Sequence, residues 1–193
     1  MGVEQETIDR VLESVVINAE NDPEILAYEI CEMTGEVFHI EKMNGGTHAA
    51  SNEDIRTVQL RLAIPLDWEV EWSEHFSAKA YYDGEKVFEF ARPTHDDEPI
   101  EPEMFKTDFV DGDKVTVHEE KWGTEDDLFK YYIHRSVKSK DADDGSFDEY
   151  IYIVSDGGFD IRLTFAADAG IAQEDIDIVL KSIRMTEMLR CLS

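Results

Sequence analysis

Near the start of the chain the apolar positions fall at helical spacing. Ile8, Val11, Leu12 and Val15 recur at i, i+3, i+4 and i+7, which predicts a helix over residues 4 to 16. A second helix is predicted over residues 23 to 34, where Asp22 suits a cap, Pro23 the first helical position and Gly35 the left-handed stop. Ile25, Leu26, Ile30 and Met33 would form its buried face. From Glu36 the period changes to two. EVFHIEK sets Val37 and His39 on one face and Phe38 and Ile40 on the other, and NGGTHAASN after it reads as a loop. VQLRLAIPLDW then alternates Val58, Leu60, Leu62 and Ile64 against Gln59, Arg61 and Ala63, a half-buried strand that ends at Pro65.

Turn chemistry organises the remainder. Asp83-Gly84, Asp111-Gly112, Asp144-Gly145 and Asp156-Gly157 each lie between β-prone runs, and Asp-Gly tolerates the positive φ angles that tight hairpins demand. Repeated hairpins imply antiparallel pairing. After Gly170, the stripe Ile176, Val179, Leu180 and Ile183 predicts a closing helix over residues 172 to 183. Its segment IDIVLKSIRM agrees with the early IDRVLESVVI at five of ten positions, a match that amphipathic spacing alone accounts for. The expected fold class is therefore α+β: an antiparallel twisted sheet of about six to eight strands carrying N-terminal helices and a C-terminal helix. Residues 1 to 54 would supply the helices, a strand and a loop, and residues 55 to 193 the sheet and closing helix, packed as one unit.

Charge narrows the functional classes. The 193 residues include 18 Lys and Arg against 45 Asp and Glu, a formal net charge of −27. Such a surface repels phosphate backbones and anionic headgroups, so direct nucleic-acid and membrane-surface binding are not expected, whereas a basic protein partner is. No apolar run approaches a membrane span, and MGVEQETIDR lacks the basic and apolar regions of a signal peptide. Cys31 and Cys191 are far apart, with no CxxC spacing. Together these features point to a reduced, cytoplasmic setting.

Residues 57 to 185 carry a resemblance. A strand running into a Pro-x-x-Trp turn (Pro65, Trp68), meandering hairpins, GGFDIRLTFAAD with Leu163 and Phe165, and the ending VLKSIRM with Leu180, Ser182 and Ile183 resemble the PsbP-like superfamily. The ending is similar to its bacterial DcrB-like branch, which includes chaperones for secreted effectors. The matched positions are packing positions, so the resemblance implies a fold and a binding role rather than a reaction. PTHDDEPIEPEMF departs from the family's longer helix, and the two N-terminal helices lie outside the match.

Candidate chemistry lies in the acidic clusters. The first runs from His95 through Asp96, Asp97 and Glu98 to Glu101 and Glu103; the second holds Glu119, Glu120, Glu125, Asp126 and Asp127. The third, with Asp141, Asp143 and Asp144 followed by Asp148 and Glu149, approaches a calcium loop but places Gly145 one position early and falls where a hairpin must turn. Turn chemistry explains it better than metal. His39, His48, His75, His118 and His134 show no HExxH or other ligand spacing. No GxSxG elbow, P-loop or GxGxxG is present, and Cys31 reads as a small buried hydrophobe. No cofactor is implied.

The reading that follows is a non-enzymatic acidic module that masks a basic or toxic partner, in the manner of an immunity protein or a secretion chaperone. Asp96, Asp97, Glu98, Glu101, Glu103, Glu119, Glu120, Asp126 and Asp127 would steer the partner, and Trp72 and Trp122 would supply contact area. Two alternatives stand beside it: a nucleic-acid mimic that occupies a DNA-binding protein, and a metal-dependent hydrolase built on one acidic cluster.

Overall fold

In the computed structural model, which describes residues 28–42, 48–95, 115–138 and 146–188, the chain is mainly β. The strands are β1 (Tyr28–Lys42), β2 (His48–Pro65), β3 (Glu69–Ser73), β4 (Ser77–Tyr82), β5 (Glu85–Phe90), β6 (Thr94–His95), β7 (Val115–Trp122), β8 (Tyr131–Lys138), β9 (Ser146–Asp156) and β10 (Phe159–Ala166). Helix α1 (Gln173–Ser182) and a short β11 (Arg184–Glu187) follow.

The α+β expectation is thus corrected to a β-rich fold with one helix among the described residues. The helix expected over 4 to 16 lies outside those residues. The one expected over 23 to 34 is overturned from Tyr28 onward, where β1 runs antiparallel to β2 in register from Tyr28 opposite Pro65 to Val37 opposite Arg56. Pairing with a long β-prone partner outweighs the helix propensity of Glu29, Glu32 and Met33, which is a weak prior. Side-chain burial follows the strand period: Cys31, Met33 and Val37 turn toward the core while Ile30 stays 45% exposed.

Gly35 does not cap a helix. It lies in β1 opposite Val58, and a Cβ there would sit 2.3 Å from Cγ of Phe76. The loop read over NGGTHAASN is also shortened, because His48 to Asn52 already belong to β2. Residues 54 and 55 both fall within that strand.

The turn expected at Asp83-Gly84 holds, with Asp83 (φ 51) and Gly84 (φ 80) between β4 and β5, whereas the one expected at Asp156-Gly157 is shifted by one residue: Asp156 pairs with Phe159 at the end of β9, and Gly157 (φ 58) with Gly158 (φ 84) makes the turn. The Pro65 carbonyl accepts from the Trp68 amide at 3.1 Å, closing the Pro-x-x-Trp turn. Asp111-Gly112 and Asp144-Gly145 lie outside the described residues. Among the described residues pairing is antiparallel except for β1 with β6, which are parallel.

β10 is the hub of the sheet. One edge pairs with β9, which leads on to β8 and β7. The other edge pairs with β6 at Phe159 and Asp160 and with β5 from Leu163 to Phe165, so two branches diverge there: β6-β1-β2-β11 and β5-β4-β3. Phe159, Ile161, Leu163 and Phe165 alternate inward along β10 and join Phe88, Phe90, Leu60, Leu62 and Val179 in the main core. Tyr131, Ile133, Ile151 and Ile153 form a second cluster on the opposite face of β8 and β9.

Helix α1 packs on β2 through Ile176, Val179 and Leu180. Glu174 and Asp175 in its first turn and Lys181 in its last complement the helix dipole. Both ends are tied to strands. The Tyr28 hydroxyl donates to Asp175, and burial together with that carboxylate pushes the phenol above its ordinary range. Ser182 Oγ accepts from the Ala63 amide at 2.7 Å and donates to the Val179 carbonyl at 2.8 Å. Among the described residues no helix is long and apolar enough to cross a membrane.

Candidate functional site: an acidic edge and a histidine cluster

Among the described residues β3, β7 and the four-residue β11 each have a single strand neighbour, so each presents an edge, of which β3 and β7 are the longer. The β3 edge is the more uniform. Between Pro65 and Phe76 the chain exposes Leu66, Asp67, Glu69, Glu71, Trp72, Glu74 and His75, with no Lys or Arg in the segment and His75 Nε2 3.9 Å from Glu74. Alternation sends Glu69 and Glu71 to one face, while Val70 and Trp72 turn to the other. Trp72 meets Phe90 edge-on at 6.2 Å and still leaves 43% of its surface open. Leu66, in the adjoining turn, is 59% exposed. Lys79, opposite Glu71 on β4, is the nearest paired cation across the ladder.

The β7 edge is different. Glu119 and Glu120 are exposed, and Glu120 accepts a hydrogen bond from the Tyr131 hydroxyl at 3.3 Å. Trp122 is half-buried and packs on Tyr131 with ring centroids 4.5 Å apart. In the turn beyond, Asp126 is exposed, but Asp127 is bound inward, accepting from the Thr124 amide and hydroxyl, both at 2.9 Å, and from Lys121 at 3.0 Å. The Thr124 amide, and after it Lys121, hold the Asp127 carboxyl down at about 2. Of the residues expected to meet a partner, Trp72, Glu119 and Asp126 are therefore open, Glu120 is exposed but bonded to Tyr131, and Trp122 and Asp127 have partners within their own hairpin. Asp96, Asp97, Glu98, Glu101, Glu103 and the calcium-loop candidates Asp141, Asp143 and Asp144 lie outside the described residues.

His95, which opens the first acidic cluster, is only 2% exposed and packs edge-on against Phe159 at 6.0 Å. It belongs to the core. Cys31 is half-buried on β1, and burial pushes its thiol up, which suits the reading as a small hydrophobe.

The structure also brings together residues the sequence kept apart. His118 on β7, His134 on β8 and Asp148 on β9 place one ligand-type atom each within 4.8 Å of one another. The two imidazoles lie 4.8 Å apart, and Tyr150 covers His134 at the same spacing. Ser136 hydrogen-bonds Nε2 of His118. Nε2 of His134 is buried with no hydrogen-bond partner. Beside this cluster Tyr132 packs on Tyr152 at 4.9 Å; burial pushes Tyr152 up to about 12 and raises Tyr132 beyond its ordinary range. Asp148 also lines a cavity of about 400 Å³ with Phe88, Phe147, Thr164 and Asp168.

A register irregularity assembles the trio. Val117 opposes Arg135 and Glu119 opposes His134, so His118 is the extra residue of a β-bulge. Sequence spacing carries no sign of it, since the ligands come from three strands whose register only the pairing defines. No protein-family model matches the chain, and no curated protein matches it.

Proposed function

We propose that this protein is a non-enzymatic binding module that takes up and masks a basic polypeptide segment along the β3 edge. The observation that carries the reading is the edge itself: a strand with no second strand neighbour among the described residues, exposed carboxylates on Glu69, Glu71 and Glu74, and exposed Trp72 and Leu66. An added strand would gain main-chain bonds from β3, its Lys or Arg side chains would meet the carboxylates, and its apolar positions would cover Trp72. The net charge of −27 steers a cationic partner toward the molecule from a distance. Masking of this kind fits an immunity-protein or secretion-chaperone role, in which neutralising the partner is the whole task.

The test is binding of a synthetic extended peptide that alternates Lys with Val, measured against wild type, Trp72→Ala and the double variant Glu69→Lys with Glu71→Lys. Removing a central aromatic anchor costs about 2 kcal/mol, or roughly 30-fold in affinity. Charge reversal abolishes binding, and raising salt from about 50 to about 500 mM slows association by screening. Equal affinity for all three proteins sinks the β3 assignment, and salt-independent association sinks the steering.

A further inference from the structure

We propose that His118, His134 and Asp148 form a binding site for a divalent transition-metal ion of the zinc class. Two imidazoles and a carboxylate converge from three neighbouring strands, and their ligand-type atoms already lie within 4.8 Å of one another. Tetrahedral zinc with bonds of about 2.0–2.1 Å separates its ligand atoms by about 3.3 Å, so modest side-chain rotation closes the site. The set is wrong for Ca²⁺ or Mg²⁺, which take oxygen ligands, and suits Zn²⁺, Ni²⁺ or Co²⁺.

A second, independent observation points to the ion. Nε2 of His134 is buried and makes no hydrogen bond, although a buried polar nitrogen without a partner is costly. A metal bond at that nitrogen removes the deficit. The surroundings are those of a supported site: Ser136 holds the His118 ring by its Nε2, and Tyr150 packs over His134. The bulge at His118 sets both it and Glu119 against His134, which gathers side chains that an unbroken ladder would have spaced out. Three protein ligands leave one tetrahedral position free, and Asp148 borders the cavity of about 400 Å³ from which water or a partner's side chain would fill it.

This site is separate from the β3 edge, so the two proposals stand or fall apart. The experiment is titration of chelator-treated full-length protein with Zn²⁺ by calorimetry, repeated with Co²⁺ to read the visible absorption of a tetrahedral ion, in millimolar Ca²⁺ throughout. Calcium occupies generic surface carboxylates and leaves a histidine site open. About one equivalent of Zn²⁺ is expected, with affinity falling by about 100-fold or more in His118→Gln and His134→Gln and remaining unchanged in His75→Gln. His118 is exposed, so its substitution leaves the fold intact even if His134→Gln destabilises it. Absence of stoichiometric Zn²⁺ binding overturns the proposal, as does binding that survives His118→Gln undiminished or a Co²⁺ spectrum without tetrahedral bands.

Discussion

Replacing Gly35 by Ala puts the corrected reading of β1 to its sharpest test. A methyl group built there meets Phe76 at 2.3 Å from Cγ, 2.6 Å from Cδ1 and 2.7 Å from Cβ, whereas carbon atoms settle at about 3.5–4.0 Å. The ring must therefore retreat by more than about 1 Å. Phe76 has little freedom to do so. It is 2% exposed, its backbone holds φ 58, and its amide is bonded to the Ser73 carbonyl at 3.2 Å. A non-glycine residue in that conformation persists only because its surroundings fix it.

Two terms oppose each other. Losing glycine from a strand interior gains about 0.5–1 kcal/mol through the unfolded chain, and overpacking costs about 1–3 kcal/mol or more. With the ring so close and so constrained, overpacking wins, and Gly35→Ala is expected to destabilise by about 1–2 kcal/mol. Urea unfolding followed by far-ultraviolet dichroism reads this as a lower midpoint with unchanged slope. Phe76→Ala alone costs about 3–5 kcal/mol through its cavity, and in the double variant the new methyl group fills part of that space. The pair should then cost less than the sum of the singles by about 1 kcal/mol or more. A Gly35→Ala protein as stable as wild type, or strict additivity in the cycle, would refute the packing of Phe76 against Gly35.

Three further outcomes follow from the same packing. Arg135 and Glu149 bond at 2.7 Å from Nε with side chains only 15% and 13% exposed, so Arg135→Met leaves a carboxylate stranded and costs about 3 kcal/mol, most of it recovered by adding Glu149→Leu; thermal melts of the three proteins decide it. Ser182→Ala strips the Ala63 amide of its acceptor and costs about 1–3 kcal/mol by chemical denaturation, which Ser182→Thr largely restores. The Asp127 carboxyl, held at about 2 against an ordinary 3.8, stabilises its turn fully above about pH 4 and loses that contribution as pH falls through 2. Carbon-detected NMR titration should find that low midpoint, and Lys121→Met should raise it only in part because the Thr124 bond remains; an ordinary midpoint in the wild type contradicts the turn geometry.

How much was legible depended on where the determining partner lay. Asp83-Gly84 decides its hairpin within four residues, and the stripe Ile176, Val179, Leu180, Ile183 decides α1 within two turns, so both were readable. β1 was not. Ile25, Leu26, Ile30 and Met33 satisfied a helical period, but the period-two set Cys31, Met33, Gly35 and Val37 ran through the same residues, and only the distant β2 chooses between them. Gly35 misled for the same reason: its glycine answers a ring 41 positions later, not a local turn. Glu119 and Glu120 stood out as part of an acidic run, whereas Glu69 and Glu71 did not, because which strand stands at the edge is a property of topology. His118, His134 and Asp148 were invisible as a group because a bulge, not a spacing, aligns them.

The β3 and β7 edges meet a hazard that every sheet faces, since unpaired strand groups invite further strands. β7 blunts its edge with the bulge at His118 and with Glu119, Glu120 and Lys121 of mixed sign. β3 has no bulge, proline or cation, only Glu69 and Glu71 beside exposed Trp72. Pairing two copies through β3 would set carboxylates about 5 Å apart, at a cost near 1 kcal/mol per pair even in water-like dielectric, while a basic strand would gain a similar amount. On the proposed function, one device would thus disfavour a second copy and favour a cationic strand. Glu69→Thr with Glu71→Thr keeps the strand-forming character and removes the repulsion, so the variant should self-associate at concentrations where wild type sediments as a monomer, and a Lys placed at the centre of the edge, Val70→Lys, should suppress it. A doubly substituted protein that stays monomeric would mean that the edge is closed to strand addition, and the proposed docking of a basic segment along β3 would fall with it.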